Sequence, residues 1–288
     1  IEKIEYHDAP SGKYAKDKLV VNFVTKQYRY GGYVQADGLQ TIGYDHGDYN
    51  VATNYVKGNN SYTVFAGANY SHVDGTETWN NENYQFPQSL FDRESYCKNS
   101  YRNHQEYMQF RYQNQKGKRY WVGKFTLLNL STPRNASSGF ARESTETDIF
   151  SNIRKKSLSP KIDLNANLPL SKNQTLTLGV HGKYSANSYH RLYQEQPFEA
   201  MTDEDEKALS FQLSAIYNYF SQKHSLSVEL FHYHDVWNAD YSGNCELWQH
   251  LWKGESLAFF SYNFQASRRL SLKTRIGLDW LQYHLHGD

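Results

Sequence analysis

The residues that could do chemistry fall in a few clusters. His232 and His234 stand two apart, a spacing that puts both imidazoles on one face of a strand and could ligate a metal. His284 and His286 repeat it at the chain end. Two imidazoles do not make a site, and the plainer reading is polar residues near a strand end. Asp203-Glu204-Asp205-Glu206 could recruit calcium or a basic ligand, and reads more simply as a solvated loop. Trp79, Tyr84, Phe86 and Phe91 stand among Asn80, Asn81, Asn83 and Gln88. Trp237, Trp248 and Trp252 form a second aromatic group. Aromatic faces beside amides suit a glycan or peptide ligand, and equally suit a loop packed on itself. Trp79, Tyr84, Phe86, Trp237, Trp248 and Trp252 are therefore the candidate ligand-binding residues. The chain carries no glycine-rich phosphate loop, no G-x-S-x-G elbow, no H-E-x-x-H and no Cys/His zinc cluster. No catalytic residue, metal or cofactor is expected, and the chain is not expected to be an enzyme.

The elements that would position these residues are strands. From Thr175, Leu176, Leu178, Val180, Gly182, Tyr184 and Ala186 alternate with Thr177, Gly179, His181, Lys183 and Ser185. That period-2 pattern runs about eleven residues, near the roughly 9–11 that cross a bilayer as a tilted strand. The same alternation recurs at 62–70, 162–170, 209–219, 258–266 and 270–280. Tight polar turns are predicted at Lys57 to Asn60, Gln115 to Lys118, Pro169 to Asn173, Ser221 to His224 and Arg268-Arg269. Long polar loops are predicted from Asp74 to Asn103, Ser131 to Ser157, Asn187 to Lys207 and Trp237 to Glu255. Short turns at one end and long loops at the other characterise outer-membrane barrels. Tyr49, Tyr55, Tyr62, Tyr70, Tyr184, Tyr217, Tyr219 and Trp280 sit where aromatic girdles would lie. A soluble β-sandwich satisfies the alternation too, but its strands usually run about 5–6 residues.

Composition agrees with a barrel. The 288 residues hold 25 Tyr, 15 Phe and 6 Trp. Lys plus Arg total 31 against 30 Asp plus Glu, which lacks the basic excess of a nucleic-acid binder, so no nucleic-acid partner is expected. Mean hydropathy is −0.82, too polar for a helical membrane protein and acceptable for a barrel, where only alternate residues meet lipid. Cys97 and Cys245 both fall in predicted loops, and the sequence leaves their pairing open. Strand centres near 36, 52, 67, 109, 125, 164, 180, 214, 230, 262 and 276 give about eleven strands. Closed single-chain bacterial barrels have an even count, so the chain is expected to cover part of a larger barrel. No secretory signal opens it, which fits a mature piece or a fragment.

The first residues differ from this pattern. Ile1-Glu2-Lys3-Ile4-Glu5, then Pro10, Gly12 and Tyr14, then Val21-Asn22-Phe23-Val24-Thr25-Lys26 resemble the end of the plug domain in TonB-dependent outer-membrane receptors. In place of the family's glycine-rich run stands Asp17-Lys18-Leu19-Val20. The resemblance implies an all-β, antiparallel transmembrane β-barrel, here about 11 of an expected 22 strands, preceded by the end of a plug. Residues 1–27 would end the plug and 28–288 would form the first part of the barrel. It implies an outer-membrane receptor that binds a small molecule, glycan or peptide at its extracellular loops and imports it with TonB-coupled energy. It implies as partners outer-membrane lipid, a TonB-type energy-coupling protein and a surface lipoprotein. The alternatives are a passive porin-type channel and a soluble β-rich adhesion module.

Overall fold

The computed structural model describes residues 3–7, 20–24, 30–86, 89–266 and 270–288, with the side chains of 30–85, 92–266 and 270–288. Two short strands, β1 (Lys3–His7) and β2 (Val20–Val24), pair antiparallel as a separate two-stranded sheet. Eleven more form one sheet: β3 (Tyr30–Gln40), β4 (Asp45–Lys57), β5 (Asn60–Phe86), β6 (Ser89–Lys116), β7 (Arg119–Arg142), β8 (Glu146–Ser171), β9 (Gln174–Glu195), β10 (Phe198–Phe220), β11 (His224–Gly243), β12 (Leu247–Gln265) and β13 (Ser271–Gly287). Each pairs antiparallel with its neighbours in chain order. The described residues contain no helix. This is the all-β, eleven-strand antiparallel sheet that the patterning predicts for part of a barrel, and every expected strand centre lies inside one of its strands. It has two edges, β3 and β13, which run in the same direction because eleven strands alternate between them.

Register fixes which side chains share a face, since directly opposed residues and alternate residues point the same way. One row reads Leu164, Val180, Leu213; the next reads Ala166, Leu178, Ala215, Leu230, Ala258, Leu278. Further along, Val34, Thr53, Val64, Phe110, Phe125 and Ile162 align. This is the apolar face, and it is open: Leu164 is 44% exposed, Leu213 43% and Leu230 50%. The opposite face carries most of the charge in this stretch, including the Lys124–Asp163 pair at 2.8 Å and Arg275 near Glu229 at 3.5 Å. The only buried apolar residues among those described are Ala141, Ile149, Ala166 and Ala239. A β-sandwich would hide such leucines between two layers. Here a single layer turns them outward.

Two rows of aromatic rings bound the apolar band. On the turn side Tyr30, Tyr55, Tyr62 and Tyr112 follow one another at centroid spacings of 5.9, 6.3 and 5.2 Å. On the far side Tyr49 meets Tyr70 at 6.4 Å, and His72 meets His104 at 5.2 Å. From Tyr62 to Tyr70 the strand advances about 26 Å at roughly 3.3 Å per residue. An outer-membrane apolar band is roughly 25 Å tall.

The expected turns lie where predicted. Lys57 pairs with Asn60 around Gly58 (φ 61°), Lys116 with Arg119 around Gly117 (φ 61°), and Ser171 with Gln174. Strand β10 gives way to β11 across 221–223. The turn expected at Arg268-Arg269 lies outside the described residues.

The four long loops are corrected. They are continuations of the strands as hairpins: Asp74 pairs with Ser100 and Tyr84 with Phe91, Arg142 with Glu146, Phe198 with Glu195, and Tyr241 with Leu247. The acidic run 203–206 is likewise strand, with Asp203 and Asp205 on the apolar face and Glu204 and Glu206 on the other. The sequence pattern failed here for a physical reason. Beyond the band both faces meet water, so neither needs apolar residues and the period-2 signal disappears. The backbone ladder holds the hairpins without it.

Candidate functional site

Strands of the band are capped by this second tier, the rim, and the junction between the two is irregular by design of the sequence. Strand β5 carries a bulge between Asp74 and Thr76, where Gly75 adopts φ 78°, a conformation glycine takes without a Cβ clash. Strand β7 shifts register between Thr132 and Asn135. Pro133 stands there and has no N–H to give the ladder, so a bulge is where it is tolerated. Bulges re-aim side chains and are common beside binding sites.

Next to the β7 bulge, on the face opposite the apolar one, lies a cleft of about 430 Å³. Asn103, Thr132, Lys155, Asn187, Tyr189 and Glu204 line it from five consecutive strands, β6 to β10. Thr132 donates to the Asn103 amide oxygen at 3.1 Å, and Ser157 to that of Asn187 at 2.6 Å. Asn187 in turn donates to Glu206 at 3.1 Å. The Lys155 ammonium sits 5.4 Å from the centre of the Tyr189 ring, a cation–π distance. Burial pushes the Tyr241 hydroxyl above its ordinary value, and the charge of Glu204 opposite it adds to the shift. The cleft thus offers amide donors and acceptors, one aromatic plane, one ammonium and one carboxylate. Those groups suit a polar organic molecule.

Near the tips, Arg93 of β6 reaches Glu195 of β9 past two intervening strands, with both carboxylate oxygens at 2.8 Å from one guanidinium nitrogen. Three strand steps of about 4.8 Å separate these strands, and side chains leave a sheet roughly perpendicular, so the face curls inward here. Ala141 (1% exposed) and Ile149 (8%) occupy the strip between them. Tyr193 also donates to Glu195. Burial raises the Glu195 carboxyl, but the hydrogen bonds from Tyr193 and Arg93 outweigh it and leave the group below its ordinary value. Tyr193 is pushed up, by burial first and by its bond to Glu195 second. None of the cleft or bridge residues was singled out from sequence, except Glu204 within the acidic run. Their signal is spatial: the pairs span up to 102 positions.

The six candidate aromatics do not converge. Trp79 lies on the apolar-face side of the rim, packed on Tyr96 at 4.4 Å and on Phe140 at 6.4 Å. Tyr84 is on the opposite side and donates to Glu82 at 3.0 Å. The side chain of Phe86 lies outside the described residues, as does that of Phe91. Register puts Trp237 on the cleft-side face and Trp248 and Trp252 on the other. All lie in strands, not loops. His232 meets Ser256 Oγ through Nδ1 at 2.9 Å. Among the described residues no group of three His, Cys, Asp or Glu side chains is arranged to hold a metal ion. Cys97 and Cys245 are both free thiols.

No family model matches the chain, and no curated protein does. Among solved structures it is similar to the ferric yersiniabactin uptake receptor FyuA from Yersinia pestis, at 8% identity and a TM-score of 0.42. It is also similar to the ferric citrate transporter FecA, at 10% identity and a TM-score of 0.33. Each comparison covers 91% of this chain, and 56% and 57% of the respective structure, so the chain spans little more than half their length. Likeness at this level assigns no function.

Proposed function

We propose that the chain is part of a bacterial outer-membrane receptor of the TonB-dependent kind, which captures a ligand at its rim and passes it inward. The observation that carries this reading is the inverted sheet. A row of leucines and valines faces outward between two rows of aromatic rings, while ions and amides line the other face. Burying that belt in water-soluble surroundings would leave a large apolar area uncovered, whereas hydrocarbon covers it. Residues 28–288 form the first part of the barrel, and residues 1–27, which include the β1–β2 pair, end the plug. The ligand is a small molecule, glycan or peptide. It binds in the vestibule formed by the cleft-side face of the rim, where Lys155 and Tyr189 are its contacts, with the candidate aromatics Tyr84 and Trp237 on the same face. The protein contributes selective binding and gating and no bond chemistry. A TonB-type protein supplies energy through parts of the receptor N-terminal to this chain, and a surface lipoprotein is a further partner.

Sedimentation and partitioning test the reading. The whole protein should need detergent to remain monodisperse and should insert into liposomes; a chain monodisperse in plain buffer overturns it. Deleting residues 1–26 from the whole protein should raise single-channel conductance in a planar bilayer. Unchanged conductance would remove the plug assignment and favour a passive porin.

A further inference from the structure

On β10 to β13 the apolar face does not stop at a ring of tyrosines. Reading from the band toward the rim, the row Ala215, Leu230, Ala258, Leu278 is followed by Leu213, His232, Ser256, Trp280. Next come Phe211, His234, Gly254, Gln282, then Leu209, Val236, Trp252, His284, then Lys207, Asn238, His250, His286. Five histidines and a lysine therefore crowd one outward surface directly above hydrocarbon-facing residues. Across these rows, among the described residues, no carboxylate shares the face; the nearest are Asp205, Asp240 and Asp288, one row beyond Lys207 and His286, and Asp288 accepts from the Trp248 indole at 3.2 Å. Elsewhere the far edge of the band mixes both ring types, Tyr49 and Tyr70 beside His72 and His104, and there His72 meets the Asp45 carboxylate at 3.0 Å.

The rings here build a groove. His234 stacks on Phe211 at 4.9 Å and meets the Trp252 edge at 5.4 Å, and Trp252 meets His284 at 5.6 Å. Gly254 lacks a side chain between them, so the sheet backbone forms the floor; a Cβ there would come within 3.2 Å of the Trp252 ring. The resulting cleft measures about 460 Å³ and is open to the outside, with Ser256, Trp280 and Gln282 completing its walls. Its walls are aromatic and its donors are imidazole, hydroxyl and amide groups. That combination fits a molecule with an anionic, oxygen-rich head and an apolar body. A phosphate monoester presents three strong acceptor oxygens.

We propose that this groove holds the phosphorylated headgroup of a membrane lipid whose acyl chains lie against Leu230, Ala258 and Leu278. The proposal rests on the membrane reading above. The continuity of groove and belt selects a lipid over free phosphate, because only a lipid fills both. Imidazole, Ser256 hydroxyl and Gln282 amide donate to the phosphate oxygens, and Lys207 supplies fixed positive charge at the outer lip. Trp252 and Trp280 take the position that indole rings favour at a membrane–water boundary.

The test uses the whole protein in detergent doped with equal amounts of phosphatidic acid and diacylglycerol, with retained lipid counted by native mass spectrometry. Wild type should retain phosphatidic acid roughly tenfold over diacylglycerol, the effect of about one charge-assisted hydrogen bond. The H232A/H234A double variant should lose most of that preference by losing donors. Gly254→Leu should lose it by filling the floor while every donor remains. Equal preference in wild type and both variants overturns the proposal. So does full displacement of the lipid by inorganic phosphate at matched concentration, which would mark a simple anion site. A protein that needs detergent yet shows no preference sinks this inference alone, whereas one that needs no detergent sinks the membrane reading with it.

Discussion

The lower and upper halves of the same strands obey different rules. In strand β10, residues 209–219 alternate between an apolar outer face and a polar inner one. Residues 198–207 of that strand carry Glu199, Asp203, Asp205 and Lys207 on the outer side and Thr202, Glu204 and Glu206 on the inner. Backbone pairing is continuous across the boundary, so what changes is the surroundings and not the secondary structure. The lower half needs a medium that covers its leucines. The upper half stands in water and is held by ladder hydrogen bonds, ring clusters such as Trp79–Tyr96–Phe140, and the Arg93–Glu195 bridge. At the junction two bulges interrupt the ladders, and the cleft opens beside the second of them.

A charge placed on each half separates them most strongly. Ala215→Arg, in the row of the band that also holds Leu230, Ala258 and Leu278, should destabilise the protein folded in a bilayer by about 2–4 kcal/mol. Met201→Arg, on the same face of the same strand but in the rim, should cost close to nothing. Urea titration of folding into liposomes measures both, and equal losses would erase the distinction between band and rim.

The bridge is the next lever. Arg93 and Glu195 are about a quarter and a fifth exposed, so Arg93→Ala should cost the rim about 1–2 kcal/mol. Hydrogen exchange should quicken around Ala141 and Ile149 while the band stays protected. The Glu195 carboxyl is lowered in the folded rim from its ordinary 4.5, so its contribution is complete above about pH 4.5. It disappears as the pH falls through the folded value, because protonation then favours the open rim. Protection factors in the wild-type rim, corrected for the intrinsic exchange rate, should therefore fall on acidification below that pH, and Arg93→Ala should flatten the fall. A rim whose protection ignores both the substitution and the pH would mean that the bridge holds nothing.

How much of this the sequence disclosed follows the same boundary. The band was legible because an apolar face on one side and a polar face on the other impose period-2 alternation, as at Leu176 to Ala186. The tight turns were legible because Lys57-Gly58-Asn59-Asn60 and Gln115-Lys116-Gly117-Lys118 carry their own chemistry. The rim reads as loop because water on both faces removes the pattern: Thr76 to Asn83 is polar except for Trp79 and is strand nonetheless. The candidate aromatics were chosen by proximity in sequence, and the strand period then sent Trp237 to one face and Trp248 and Trp252 to the other. The cleft and the bridge could not be read at all, since Asn103 and Glu204 come to line one cleft, and Arg93 meets Glu195, only through the register of intervening strands.

The bulge at Gly75 gives the finest test of how the halves are joined. With φ at 78° the residue adds one position to β5 that β6 does not match, so every side chain beyond it changes face relative to an uninterrupted ladder. That switch puts Trp79 opposite Tyr96 on the outer side and Glu82 opposite Arg93 on the inner. A Cβ at position 75 meets open space, so Gly75→Ala changes only backbone preference and should cost about 1 kcal/mol. Gly123→Ala in the band has no such conformational demand, and its new Cβ would come within ordinary contact of Leu164 at 3.4 Å, so it should cost less. The informative readout is the Trp79–Tyr96 pair rather than the stability itself. If the bulge sets the rim's register, Gly75→Ala should loosen that pair and broaden tryptophan emission from the rim while Gly123→Ala leaves it intact. If both substitutions leave the ring pair undisturbed, the face switch is enforced by the polar hairpin alone, and the junction is a passive seam between two independently stable tiers.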